Sequence, residues 1–241
     1  MIGVRSSVLR LTRRDTPLRF EIFPMVHIGE PAFYAAVAER LRHCDLVVAE
    51  GVGRSDAPGE SGTPRRRAGT AATVVSALTA SYRLPARFER SGLVRQDIRW
   101  ETLGVPVCYP DMTGAQFAAG WRLVPPWQRG LALVVAPLIG VERLIRGSRR
   151  ALAHHLELTD AGWHDEMMDV GSMEELMDLL GNQRDKLLIA AMDDIHRRRR
   201  HEAITVAVVY GAQHVAPIVH GMHALHGYRV RSAEWLTVFG L

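Results

Sequence analysis

Between residues 17 and 49 the chain passes from an alternating apolar and polar stretch, through a Pro-led helical stretch, to the uncharged run Leu46-Val47-Val48-Ala49. Parallel neighbours in a sheet need such a crossover, and a helix is its usual form. A strand covered on both faces reads as a continuous apolar run rather than an alternation, which is how 46–49 and Ile204 to Val209 both read. The pattern predicts an α/β fold: a mostly parallel central sheet flanked by helices. With 241 residues and 47% hydrophobic content, the chain has enough material for one large core, and it is read as a single domain over 1–241.

Residues 4–11 and 17–26 alternate around the polar Thr12-Arg13-Arg14-Asp15-Thr16-Pro17, which predicts an N-terminal hairpin. Pro31 suits a first helical turn, and Phe33, Val37 and Leu41, with Tyr34 and Ala38, give the following helix one apolar face. Gly, Pro and Arg in 53–69 predict a loop, followed by a helix over about 70–82. Val105 to Tyr109 reads as a short strand ending on Pro110-Asp111. A long helical insertion then occupies about 113–201. In it, Ser172 with Glu175 spells a capping box for a helix to about Leu180. A second helix starts near Asn182, carries Leu187, Leu188, Ala191 and Ile195 on one face and ends in Arg197 to Arg200. After the 204–209 strand come a helix to about Leu225, a break at Gly227, and two closing strands over 228–231 and 235–239.

The formal net charge is +4, mostly from arginine. Four arginines at a helix C-terminus complement its dipole, and no reading motif accompanies them, so nucleic acid is not an expected partner. Cys44 and Cys108 form neither a disulfide framework nor a metal-ligand spacing, and the first fourteen residues hold no apolar core of signal-peptide length; the cytoplasm is the expected compartment. Gly130 to Val141 is uncharged, with Trp121, Trp127 and prolines before it and Arg143, Arg146, Arg149 and Arg150 after it. Twelve such residues fall short of the ~20 needed to span a bilayer. Two readings remain for 121–150: a buried core helix, or a helix lying on a membrane surface.

Four polar residues fall at the expected carboxyl ends of strands: His27, Glu50, Asp111 and His214. Ligands of open α/β sheets bind outside those ends. A carboxylate placed directly after an apolar strand needs solvent or a positive partner, which makes Glu50 informative. Imidazole and carboxylate together are a ligand set for zinc, manganese, iron or cobalt. Taken singly, each has a structural alternative: a hydrogen-bonded strand-end histidine, an Asp111 helix cap, a Glu50–arginine pair. Arg184, in the first turn of its helix, gains nothing from the dipole there, and its planar fork suits a carboxylate of substrate, of Glu50 or of Asp111. No phosphate-cradling loop, dinucleotide fingerprint, nucleophile elbow or His-Glu-x-x-His occurs.

The order of His27, the Val47-Val48-Ala49-Glu50-Gly51 strand end, Asn182-Gln183-Arg184-Asp185, and Val206 through Tyr210-Gly211-Ala212-Gln213-His214 resembles the TraB/PrgY/GumN family. That family includes the Tiki metalloproteases and is related more distantly to ChaN and erythromycin-esterase-like folds. The resemblance implies a metal-dependent peptide hydrolase, with His27 and His214 as paired motif histidines and Glu50 as the strand-end acid. Arg184 would be the helix arginine and Asp111 a further acid. Its implied cofactor is a divalent metal (Mn, Co or Zn) held by His27, His214 and Glu50, and its implied partner a peptide or other small acidic substrate. The pheromone-shutdown members imply an alternative, peptide capture or membrane association without cleavage. Gly211 to His214 matches the family's Gly-x-x-His; the first motif reads Pro24-Met25-Val26-His27 instead, so of the two histidines His27 is the one less expected to bind metal.

Overall fold

The computed structural model describes residues 3–52, 92–96, 98–134, 149, 153 and 173–241. In chain order the elements are β1 (Gly3–Thr12), β2 (Arg19–Met25), β3 (Ile28–Gly29), α1 (Pro31–Leu41), β4 (Leu46–Ala49), β5 (Val94–Arg95), β6 (Val107–Cys108) and α2 (Gly114–Leu123). Then follow α3 (Glu174–Met177), a π-helical turn (Asp178–Asn182), α4 (Gln183–Arg199), β7 (Thr205–Gly211), a 3-10 turn (Ala212–His214), α5 (Val215–His226) and β8 (Arg229–Gly240). The sequence-expected loop at 53–69, the helix at 70–82 and most of 135–172 lie outside the described residues.

The fold is α/β, built on a six-stranded sheet in the order β6-β4-β7-β2-β1-β8. Its β6-β4-β7-β2 part is parallel, while β1 pairs antiparallel with β2 and with β8. The expected hairpin and crossover are both present: β1 meets β2 directly, and α1 carries the chain from β2 to β4. Strand β7 lies between β4 and β2, and Val206 through Gly211 are all buried. Helix α1 closes one face with Phe33, Val37 and Leu41 against Phe23, Val47 and Val209. Helices α4 and α5 close the other, with Leu188, Met192, Ile218 and Met222 against Val48, Val206 and Val208. A third cluster, including Phe117, Trp121, Leu176 and Leu179, joins α2 to α3 and the π turn.

Four expectations change. The two closing strands are one, β8, paired with β1 along its whole length and bent by irregularities opposite Val4/Arg5 and Arg10/Leu11. The two helices about Gly181 are continuous through the π turn. The α4 face that goes inward is Arg184, Asp185, Leu188, Met192 and His196, displaced from the apolar face read in sequence because three of its members are polar. At the start of α3, Met173 is the capping residue and supplies no side-chain bond. Ser172 lies outside the described residues, and the Glu175 carboxylate accepts from Gln128 Nε2 at 2.6 Å instead.

Candidate functional site

The parallel strands end together at one edge, where Glu50 follows β4, Asp111 follows β6 and His214 closes the 3-10 turn after β7. The pairing of Ala49 with Val209, continued by the Glu50 N–H donating to Val209 O at 3.0 Å, sets Glu50 beside Tyr210. Helix α4 begins over this edge, and its first turn supplies Arg184 and Asp185.

Arg184 ties the acids together. Its Nε donates to Asp111 Oδ1 at 3.0 Å, and its Nη2 donates to Asp111 Oδ2 at 2.7 Å and to Glu50 Oε1 at 2.6 Å. Of the three carboxylates open to it in sequence, Arg184 takes both of the protein's own. The Asp111 side chain is 0% exposed and also accepts from Gly51 N at 3.1 Å and Met112 N at 2.8 Å. Four donors saturate it, so Asp111 anchors Arg184 and does not reach outward. It is not the cap of α2 either: Thr113 caps that helix in a reciprocal box with Gln116.

Glu50 keeps a 23% exposed side chain, and its other oxygen, Oε2, accepts from Gly211 N at 3.0 Å. Burial by itself would raise the Glu50 pKa. The Arg184 guanidinium, with smaller contributions from His27 and His214, outweighs burial and brings it down to about 2. Glu50 is therefore an anion throughout the physiological range. Arg184 is in turn held protonated by the two carboxylates.

His214 is 1% exposed, and its Nδ1 lies 2.6 Å from Asp185 Oδ1. An ionised carboxylate only accepts, so Nδ1 carries a proton, and in the neutral imidazole that leaves the lone pair on Nε2. Gln213 Nε2, 3.2 Å from that Nε2, is a donor consistent with the same tautomer. No side-chain cap bond is formed at this helix start; Asp185 meets His214 instead. The signal available in sequence is an acid directly after Arg184 in the first turn of a helix, and helical periodicity passes over it because that is read from apolar residues.

His27 lies beyond the end of β2 and acts on Glu50 electrostatically; its carbonyl accepts from Gln96 N at 2.9 Å. Among the described residues no three His, Cys, Asp or Glu side chains are gathered so as to hold a metal ion. Glu50 is moreover engaged by a guanidinium, which opposes a second cation at the same carboxylate. In this arrangement Glu50 gives one oxygen to Arg184 and the other to Gly211 N. Glu50, Asp111 and Asp185 set three carboxylates against one guanidinium, a formal balance of −2. That balance suits positive charge developing on the buried imidazole.

Elsewhere, His226 Nε2 meets Asp193 Oδ1 at 2.7 Å and His223 Nδ1 meets Tyr228 O at 3.1 Å, while His154, His155 and His164 lie outside the described residues. Of the 121–150 stretch, Trp121 is in the core, whereas Leu123, Trp127, Leu131 and Val134 are exposed. Arg149 bonds Glu30 Oε1 at 2.7 Å and Gly240 O at 3.0 Å; Arg143, Arg146 and Arg150 are outside the described residues. No helix among the described residues is long and apolar enough to cross a membrane. Both cysteines are free thiols.

Fold and site together define an α/β protein with a carboxylate-backed histidine and an arginine-clamped acid pair at the carboxyl edge of its parallel strands. Comparison with family models, curated proteins and solved structures finds no match to the chain.

Proposed function

We propose that the protein is a hydrolase of acyl bonds, with peptides as the first substrate class to examine, in which His214 Nε2 activates water. The observation that carries this reading is the 2.6 Å contact of the buried His214 Nδ1 with Asp185, which leaves Nε2 as the basic nitrogen. The resemblance of Gly211 to His214 to a hydrolase-family motif supports the substrate class.

In this reading Nε2 removes a proton from water as the oxygen attacks the acyl carbon, and returns it to the departing amine or alkoxide. The Asp185 carboxylate stabilises the intervening imidazolium and fixes its orientation, the role a triad acid has in other hydrolases. Glu50, anionic and held by Arg184, adds negative potential beside that imidazolium. Gln213, exposed on its turn, donates to Nε2 in the resting site and must swing aside for water.

The test is hydrolysis of p-nitrophenyl acetate and of a peptide panel by wild type and His214→Ala, with and without EDTA. Activity should survive EDTA and fall about 10²–10⁴-fold in the variant. EDTA-sensitive activity restored by Mn, Co or Zn would put a metal, not a proton, on Nε2. Peptide binding with no cleavage in either protein would favour the capture function.

A further inference from the structure

Tyr210 precedes the Gly-x-x-His glycine, and its side chain is 1% exposed. Its ring packs edge-on against His214, centroids 5.6 Å apart, and the strand register sets it beside Glu50. Its hydroxyl has no hydrogen-bond partner among the described residues. Buried tyrosine hydroxyls ordinarily have one. The nearby carboxylates are engaged elsewhere, Asp111 by four other donors and Glu50 by Arg184 and Gly211 N, so neither pairs with the hydroxyl in the free protein. Asp111, Arg184, Glu50 and Cys108 act on the hydroxyl electrostatically.

We propose that the Tyr210 hydroxyl is a ligand-facing donor of this site, held without a partner so that it can bond the carbonyl oxygen of a bound amide or ester. The inference rests on the hydrolase reading and adds a residue that receives the substrate's oxygen. No covalent step is involved: the phenol keeps its proton and the hydrogen bond strengthens as negative charge builds on that oxygen. Burial, and secondarily the neighbouring carboxylates, push the Tyr210 pKa up, which keeps the group a neutral donor.

An unpartnered buried hydroxyl gives an unusual sign to its removal. A hydroxyl bonded within the fold stabilises it, and Tyr→Phe then lowers the melting temperature; a hydroxyl reserved for a ligand does nothing for the free protein and is a desolvation cost there. The experiment is Tyr210→Phe, measured by thermal melting of the free protein and by kcat/KM for p-nitrophenyl acetate beside wild type and His214→Ala. The proposal expects a melting temperature unchanged or raised by about 2–4 °C, together with a loss in kcat/KM of about 10–10³-fold. A lowered melting temperature would assign the hydroxyl to the fold and overturn it. So would an unchanged kcat/KM in Tyr210→Phe where His214→Ala has lost activity, which leaves the hydrolase reading standing. Equal hydrolysis by wild type and His214→Ala removes the hydrolase reading and this proposal together.

Discussion

Gly211 has φ −53° and ψ 145°, a conformation open to every residue, so backbone freedom is not why glycine stands there. A Cβ built on it would lie 3.6 Å from Glu50 Oε2 and 3.7 Å from His214 Cδ2, in the space between acid and imidazole. The glycine of Gly-x-x-His keeps that space open while its N–H holds Glu50. The added methyl would make only ordinary van der Waals contact, so Gly211→Ala is expected to fold with a melting temperature at or slightly above wild type and to lose about tenfold in kcat/KM only by occupying space that a bound substrate needs. Melting and kinetics on the same sample check it; unchanged kinetics would show the space has no function. Pro24 is a strand residue whose carbonyl accepts from Ser6 Oγ at 2.6 Å.

At the scale of elements, the π turn before α4 marks where sequence and structure part. Gly181-Asn182 reads as a break with a fresh helix start, because glycine and asparagine punctuate helices. The chain continues instead through a wider turn, of the sort often found at functional sites, and Arg184 Nη1 reaches back to Leu180 O at 3.4 Å. Two consecutive residues then serve two partners, Arg184 the acids and Asp185 the imidazole. A periodicity built on apolar residues finds Leu188 and misses both.

The far end of α4 carries a separate consequence. His196 is buried, its ring centroid 3.9 Å from that of His226, with Arg13 Nη1 3.3 Å from Nε2 and the Tyr228 hydroxyl 3.1 Å from Nδ1. Burial, then His226, Arg13 and Arg200, against Asp193, push its pKa from 6.5 down to about 4. Between those two values the unfolded chain takes a proton that the folded chain refuses, so this residue lowers stability progressively as pH falls from 6.5 towards 4. His196→Gln should flatten that part of a melting-temperature profile against pH; an identical slope in both proteins would remove His196 as the cause.

Over the whole molecule, the parts legible in sequence are those that bury apolar side chains in a regular pattern: the β1–β2 hairpin, α1, the β4 and β7 runs, and α5 with its Gly227 stop at φ 72°. Strand β8 reads as two in sequence; it lies on an edge where every residue from Arg229 to Trp235 is exposed, so no burial pattern writes it into the sequence. The two-residue strands β3 and β5 are too short for any periodicity. Within the site, His27, Glu50, Asp111 and His214 were visible as polar ends of apolar strands, and Arg184 as an arginine at the wrong end of a dipole. The partners of Arg184 are narrowed in sequence to a substrate, Glu50 or Asp111, whereas the Asp185–His214 contact is not legible there, because a hydrogen bond between side chains of two separate elements leaves no local pattern.

That edge functions, in this account, only if Asp185 fixes the His214 imidazole with its proton on Nδ1. Nitrogen-15 NMR of histidine-labelled protein, with His214→Gln to assign the resonances, reads this tautomer directly at neutral pH. The account predicts a protonated Nδ1 and a bare Nε2 for His214, lost as a fixed state in Asp185→Asn. A protonated Nε2, or the same averaged tautomers in wild type and Asp185→Asn, would contradict it.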